Sequence, residues 1–223
     1  MFRRGVTRVT LDELYDQMDL YGFEDFEDEQ KLTLLNEAYF DVVTREPWPF
    51  LEVVSTFTAP SGTTQITNQS FSGSPTNVNT VLSFIDTTND VVMTPERGDV
   101  IEKNYRINDL DTYPEHYYFV GEELFVYPSV KGSTTYRLFY TRTPVSATET
   151  TGTGAWFIPS RHHSIVLYGA LVKAFLVNDD PQVAAFQNLF ESRYQQMRND
   201  LWVQQYDRTE RVHIISDAYD WNY

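Results

Sequence analysis

The chain has 223 residues, 41% of them apolar and 15% aromatic, with a formal net charge of −15 and a pI near 4.5. It has no cysteine, which excludes disulfides and thiolate zinc sites. The acidic balance is the opposite of the basic footprint that a sequence-independent nucleic-acid binder needs. The longest apolar run, Ser164 to Val177, is broken by Lys173 and falls short of the roughly 18–20 residues that span a bilayer. Met-Phe-Arg-Arg-Gly-Val at the start lacks the apolar stretch of a secretory signal. These features predict a soluble protein made in a reducing cytoplasm, with one domain or one domain carrying an insertion.

The first element is a helix from about Leu11 to Leu20, opened by Thr10-Leu-Asp-Glu13 as a capping box and ended near Gly22. A second helix begins around Asp28. Leu32, Leu35, Tyr39 and Val42 lie on one of its faces, and Pro47 and Pro49 stop it. From Val53 to Ile85 there is no charged residue, and Thr, Ser, Asn and Gly dominate. Glu52–Thr58 and Val81–Ile85 alternate like strands between Pro/Ser/Gly turns. Tyr117–Val120 and Glu123–Tyr127, joined through Gly121-Glu122, predict a hairpin, and a further strand spans Thr134–Tyr140. The loops around Ser61–Pro75 suit a surface that orders only on assembly.

Val145–Gly154 (VSATETTGTG) is a flexible linker by composition. Pro159-Ser160 opens a helix whose body, Ile165–Val177, is apolar almost all round and therefore central. Asp180 and Pro181 start the last helix. Val183, Phe186, Phe190, Tyr194, Met197 and Leu201 recur along it at helical spacing over about five turns. Past Gln205 the helical period is lost. The predicted fold is α+β, a helical bundle from both chain ends with an inserted antiparallel β-rich lobe and an extended C-terminal tail. In residues, that is a helical core of 1–50 and 155–206, a β insertion of 51–145, a linker of 146–154 and a docking tail of 207–223.

Catalytic signatures are missing. Neither phosphate-binding glycine motif occurs, nor a G-x-S-x-G elbow, and no cofactor is implied. His162-His163 project about 100° apart on a helix and cannot ligate one ion together, so they read as a helix N-terminal turn lying against the linker. Asp12 to Glu29 holds nine carboxylates and no Lys or Arg. It lacks calcium-loop register and reads as a solvated face.

Three segments together resemble the head-to-tail adaptor (connector, tail tubular A-like) proteins of tailed bacteriophages. They are Leu34–Val43 with Glu46-Pro-Trp-Pro-Phe-Leu-Glu52, then the block from Tyr118 through Val126-Tyr-Pro128 to Arg137-Leu-Phe-Tyr140, then Phe157–His163 with Tyr168-Gly-Ala-Leu171 and Asp179-Asp-Pro181. The resemblance implies a non-enzymatic virion protein at the head-to-tail interface, closing on itself as a dodecameric ring beneath the portal. Its other partner is a tail (nozzle or tail-tube) protein, and no membrane is involved.

On this footing the tail docks on portal or a neighbouring subunit through Ile214, Ile215, Tyr219, Trp221 and Tyr223, each worth roughly 1.5–3 kcal/mol when buried. DNA passes through without specific binding, along a lumen for which Asp12, Asp16, Asp19, Glu24 and Asp25 are the acidic candidates. The competing expectation is a glycan-binding or glycan-cleaving virion protein, suggested by the aromatic, neutral β region and paired carboxylates. An acidic DNA mimic needs carboxylates spaced along a whole face, and the 12–29 cluster is too local.

Overall fold

The computed structural model describes residues 9–105 and 113–217, from 203 onward as backbone. It is α+β, with helices and both antiparallel and mixed sheets. The chain divides into two compact units. One joins the chain ends, up to Phe50 and from Pro144 onward, and the other is Leu51–Thr143. Among the described residues no helix is long and apolar enough to cross a membrane.

In the first unit α1 (Leu11–Leu20) starts with both capping-box bonds: Glu13 N donates to Thr10 Oγ1 at 3.2 Å and Thr10 N to Glu13 Oε2 at 2.9 Å. Leu11, Leu14, Tyr15 and Met18 form its buried face. Helix α2 (Asp28–Val43) buries Leu35, Ala38, Tyr39 and Val42. After it the chain doubles back, and the buried Trp48 donates its indole N–H to Val42 O at 2.8 Å.

Helix α4 (Ser164–Val177) packs against α2 and against α5 (Val183–Asp217). (Helix α3, Gly98–Tyr105, belongs to the second unit.) Nine of the fourteen residues of α4 are buried. Close approach is possible because Gly169 has no side chain: a Cβ there would sit 2.9 Å from Ala38 Cβ and 3.1 Å from the Phe190 ring. On α5 the stripe Phe186, Phe190, Tyr194, Met197 and Leu201 is buried in full register.

Two expectations about this unit need correction. The last helix does not give way to an extended tail after Gln205: α5 continues through Asp217. No Gly or Pro occurs between Val183 and Asp217, so nothing breaks the backbone ladder even where the apolar stripe ends. The rest of the expected tail, 218–223, lies outside the described residues.

Nor is Val145–Gly154 a flexible linker. Asn36 Nδ2 donates to Ala147 O at 2.9 Å while Ala147 N donates to Asn36 Oδ1 at 2.8 Å, and the Trp156 indole shares that oxygen at 3.2 Å. Tyr15 donates its hydroxyl to Glu149 at 2.7 Å, and Thr153 donates to Val9 O at 2.6 Å. Polar composition here supplies fastening points rather than solvation.

The second unit holds two sheets. One has the order β1-β7-β2-β3, built from β1 (Glu52–Ala59), β2 (Val78–Asp86), β3 (Val91–Val92) and β7 (Thr134–Arg142). The other is β4-β5-β6, from β4 (Thr94–Pro95), β5 (His116–Val120) and β6 (Glu123–Tyr127). The core of this unit is Phe57, Phe84, Leu124, Val126, Tyr136 and Leu138 with their neighbours. Burial of Tyr136 pushes its phenol pKa upward.

The lobe is not purely antiparallel, because β4 runs parallel to β5, and α3 interrupts the strands. The buried Asp86 carboxylate closes the β2–β3 turn, accepting from Thr88 N, Asn89 N and Asn89 Nδ2 at 2.7–3.0 Å. The 61–75 loop is fastened to β6. Ile66 is fully buried, its N–H donates to Leu124 O, and Val126 N–H donates to Thr64 O.

Substituting Gly169 by Val is expected to destabilise the protein by about 1–3 kcal/mol through overpacking, read by urea unfolding; an unchanged midpoint would contradict the close approach. Asn36→Ala leaves three groups without their partner, and a loss of about 1–3 kcal/mol is expected. Protease cleavage within 145–154 should rise with it.

Candidate interaction surfaces

The turn into α4 holds the paired histidines. Ser160–His162 form a short 3-10 helix, with His162 N donating to Pro159 O at 2.8 Å. Both rings are buried and point apart. His162 Nε2 accepts from Arg161 Nε at 3.0 Å and lies 3.7 Å from Asp200 Oδ2 on α5. An arginine only donates, so this ring is neutral with its proton on Nδ1. Burial, then the Arg161 charge, lowers its pKa below the ordinary value, against the pull of Asp200.

The His163 Nε2 atom meets Ile158 O at 3.0 Å and, facing a carbonyl, donates; its ring stands edge-on to Trp156. The pair therefore does not share a ligand. Asp200 of α5 comes beside His162, while His163 faces Trp156, two residues past the 146–154 segment. Among the described residues no group of three or more His, Asp or Glu is placed to hold a metal ion.

Beside His162 is a cleft of about 170 Å³ lined by Arg161, His162, Ser164, Arg193, Gln196 and Asp200. Arg193 Nη1 donates to Gln196 Oε1 at 2.9 Å. Lys31, Arg45, Lys173 and Arg198 each reach a carboxylate, whereas among the described residues Arg161 and Arg193 reach none. Two guanidiniums against one carboxylate make this a locally positive spot on a strongly acidic chain.

The acidic candidates do not form one face. Asp12, Asp16 and Asp19 lie at four- and three-residue steps on one side of α1, where Asp12 and Asp16 are exposed and Asp19 pairs with the buried Lys31. Glu24 and Asp25 are exposed in the turn beyond, after Gly22 adopts φ +92° and Phe23 packs its ring 4.8 Å from that of Phe175. Of the tail candidates, Ile214 and Ile215 fall in the last turn of α5, and Tyr219, Trp221 and Tyr223 lie outside the described residues.

Sequence reasoning missed the device that fixes the course of α5. Glu46 accepts from Arg198 Nε at 3.0 Å and from Trp202 Nε1 at 3.2 Å. The Tyr194 phenol beside it is pushed up to about 12 by burial and by that carboxylate. Arg45 lies 4.9 Å from the ring centres of Phe190 and Tyr194 and pairs with Glu191. Glu46 and Arg45 are adjacent in sequence but remote from α5, so no local spacing reveals them. Past Trp202, residues 203–217 extend α5 by about 22 Å at 1.5 Å per residue.

In the second unit, the outward side of the β1-β7-β2-β3 sheet carries a shallow apolar depression lined by Val54, Ile85 and Phe139 around Arg137. The large rings Phe57, Phe84, Tyr117 and Tyr136 are turned into the core, which leaves them unable to stack on a sugar.

The family model described as SU10 adaptor protein matches residues 8–214. No curated protein matches the chain.

A lowered His162 pKa makes a pH prediction. Above about 6.5 the ring is neutral folded and unfolded. As pH falls below that value the unfolded chain takes a proton that the buried ring resists, so stability is lost. The melting temperature of His162→Gln is expected to vary less between pH 7 and pH 5 than that of the parent. Parallel curves would show that the ring is not held neutral.

Proposed function

The chain belongs to the SU10 adaptor protein family, and we propose that it is a head-to-tail adaptor of a bacteriophage particle that closes as a dodecameric ring between portal and tail and lets DNA through. The role is structural and needs no catalysis. The observation that carries it is α5. Tied down as far as Trp202 by Glu46, this helix continues to Asp217 and brings Ile214 and Ile215 to the far end of a rod. An apolar pair there gains from a second protein's surface, and Tyr219, Trp221 and Tyr223 follow it in sequence. Burying such side chains is worth roughly 1.5–3 kcal/mol each, enough to offset the ordering of a short segment. The dock is thus a helix end with a short tail rather than a long extended arm.

The acidic surface suits conduction. Duplex DNA releases counterions only to cationic contacts, so a lumen lined by carboxylates gives it nothing to grip. Asp12 and Asp16 are the exposed α1 residues best suited to that lining; Asp19 is engaged by Lys31. The apolar sheet depression around Arg137, with Val54 half exposed, fits a contact to the next tail component. The glycan alternative is less favoured, since Phe57, Phe84, Tyr117 and Tyr136 of the β region are interior.

Co-purification with portal tests the dock, comparing the full chain, a version ending at Gln205, and Ile214→Asp/Ile215→Asp. The truncated and doubly substituted proteins are expected to keep the parental melting temperature and lose portal. Equal retention of portal by all three would overturn the dock.

A further inference from the structure

We infer that the Arg161–Arg193 cleft receives the acidic turn Glu24–Glu29 of a neighbouring copy, as a head-to-tail contact of the ring. The inference rests on the ring proposed above and goes on to name a contact within it. It starts from an imbalance. The cleft sets two guanidiniums that have no carboxylate partner among the described residues beside a single Asp200. Ser164, the first residue of α4, adds a hydroxyl and lies at the positive end of the helix dipole. Forked guanidinium donors with a hydroxyl in the same cleft match carboxylates in chemistry and charge.

The chain contains a segment of the complementary kind. Glu24, Asp25, Glu27, Asp28 and Glu29 place five carboxylates in six residues, all exposed. Of these, Glu27 caps α2, its N–H donating to Gln30 Oε1 at 3.0 Å, and Asp28 lies 3.8 Å from Lys31. Glu24, Asp25 and Glu29 make no side-chain ion pair among the described residues.

One copy cannot satisfy itself. The cleft is at the N-terminal end of α4, and the acidic turn is tethered at its C-terminal end by the Phe23–Phe175 ring contact. From Ser164 to Phe175 the helix rises about 16 Å, several times the reach of a hydrogen bond. Complementary patches at opposite ends of one element give a heterologous contact, the kind that propagates from copy to copy and closes into a ring when the rotation permits. A nucleic-acid phosphate is the poorer occupant. Two arginines beside an aspartate, on a chain of net charge −15, would meet repulsion from everything around them.

The test is a charge exchange between two variants of the full chain, with assembly followed by sedimentation velocity, alone and on purified portal. Arg193→Glu removes only the bond to Gln196, so its fold should survive; a melting curve checks this, and Arg161→Gln provides a second variant of the cleft. Arg193→Glu and Glu24→Lys/Asp25→Lys are each expected to need about tenfold or more protein to assemble. An equal mixture of the two should assemble like the parent, because each variant's altered group meets its complement on the other.

Variants that assemble at the parental concentration overturn the contact and leave the ring intact. Assembly that is lost in the single variants and not recovered in the mixture also overturns it. If Arg193→Glu assembles normally and loses only portal or DNA, the occupant is not a second copy and the inference fails. A parent chain that never oligomerises, with or without portal, removes the ring itself.

Discussion

A helix with almost no polar side has to be covered on nearly every side, and α4 imposes that demand on the helical unit. Its fourteen residues include one charge, Lys173, which turns outward between Glu37 and Asp41 of α2. Nine of the others are buried against helices from both ends of the chain, with Leu176 and Val177 left exposed at the C-terminal end, and Gly169 sets how closely the helices approach. At Gly169 the Ala38 methyl of α2 and the Phe190 ring come nearer than a Cβ there would allow. Enclosure of α4 therefore brings the two ends of the sequence together, with the sheet unit formed by the residues between them.

The same packing sets the direction of the last helix. An apolar stripe holds α5 as far as Leu201, the last of its buried residues among those described. Glu46, reached by Arg198 and Trp202, then fixes the helix at that height. A partly buried carboxylate with two charge-assisted or indole donors is a directional constraint, unlike the apolar stripe, which tolerates sliding. The corner after α2 thereby sets the course of the α5 backbone beyond Leu201.

Charge is used in two ways. Inside the unit, carboxylates are partners: Glu46 for Arg198, Asp19 for Lys31, Glu149 for the Tyr15 hydroxyl. Outside, most are left to solvent, and the chain's large negative charge accumulates there. Against that background a cleft with two arginines that reach no carboxylate among the described residues is conspicuous, and the proposed ring gives it a use at the junction of copies. Burial, then the Arg161 charge, lowers the pKa of the histidine beside it, which disfavours a further positive charge in the cleft.

Local pattern was enough for the elements whose causes are local. The capping box of α1, the single face of α2, the regular stripe of α5, the Gly121 hairpin and the strand alternation are each produced by neighbours within a few residues, and each is where the spacing places it. The family resemblance was legible for a similar reason, since it lay in the order of such segments. What the sequence could not disclose depends on residues far apart. The Thr- and Gly-rich stretch 145–154 looks like a linker until Asn36, more than a hundred positions away, supplies both a donor and an acceptor for Ala147. Continuation of α5 past its apolar stripe, the Glu46 anchor, and the Arg161–Arg193 cleft are of the same kind. Composition states which groups are present, whereas only the packed chain decides which of them are satisfied at home and which are left for another surface, because a hydrogen bond or an ion pair exists at about three ångströms and not at a sequence separation.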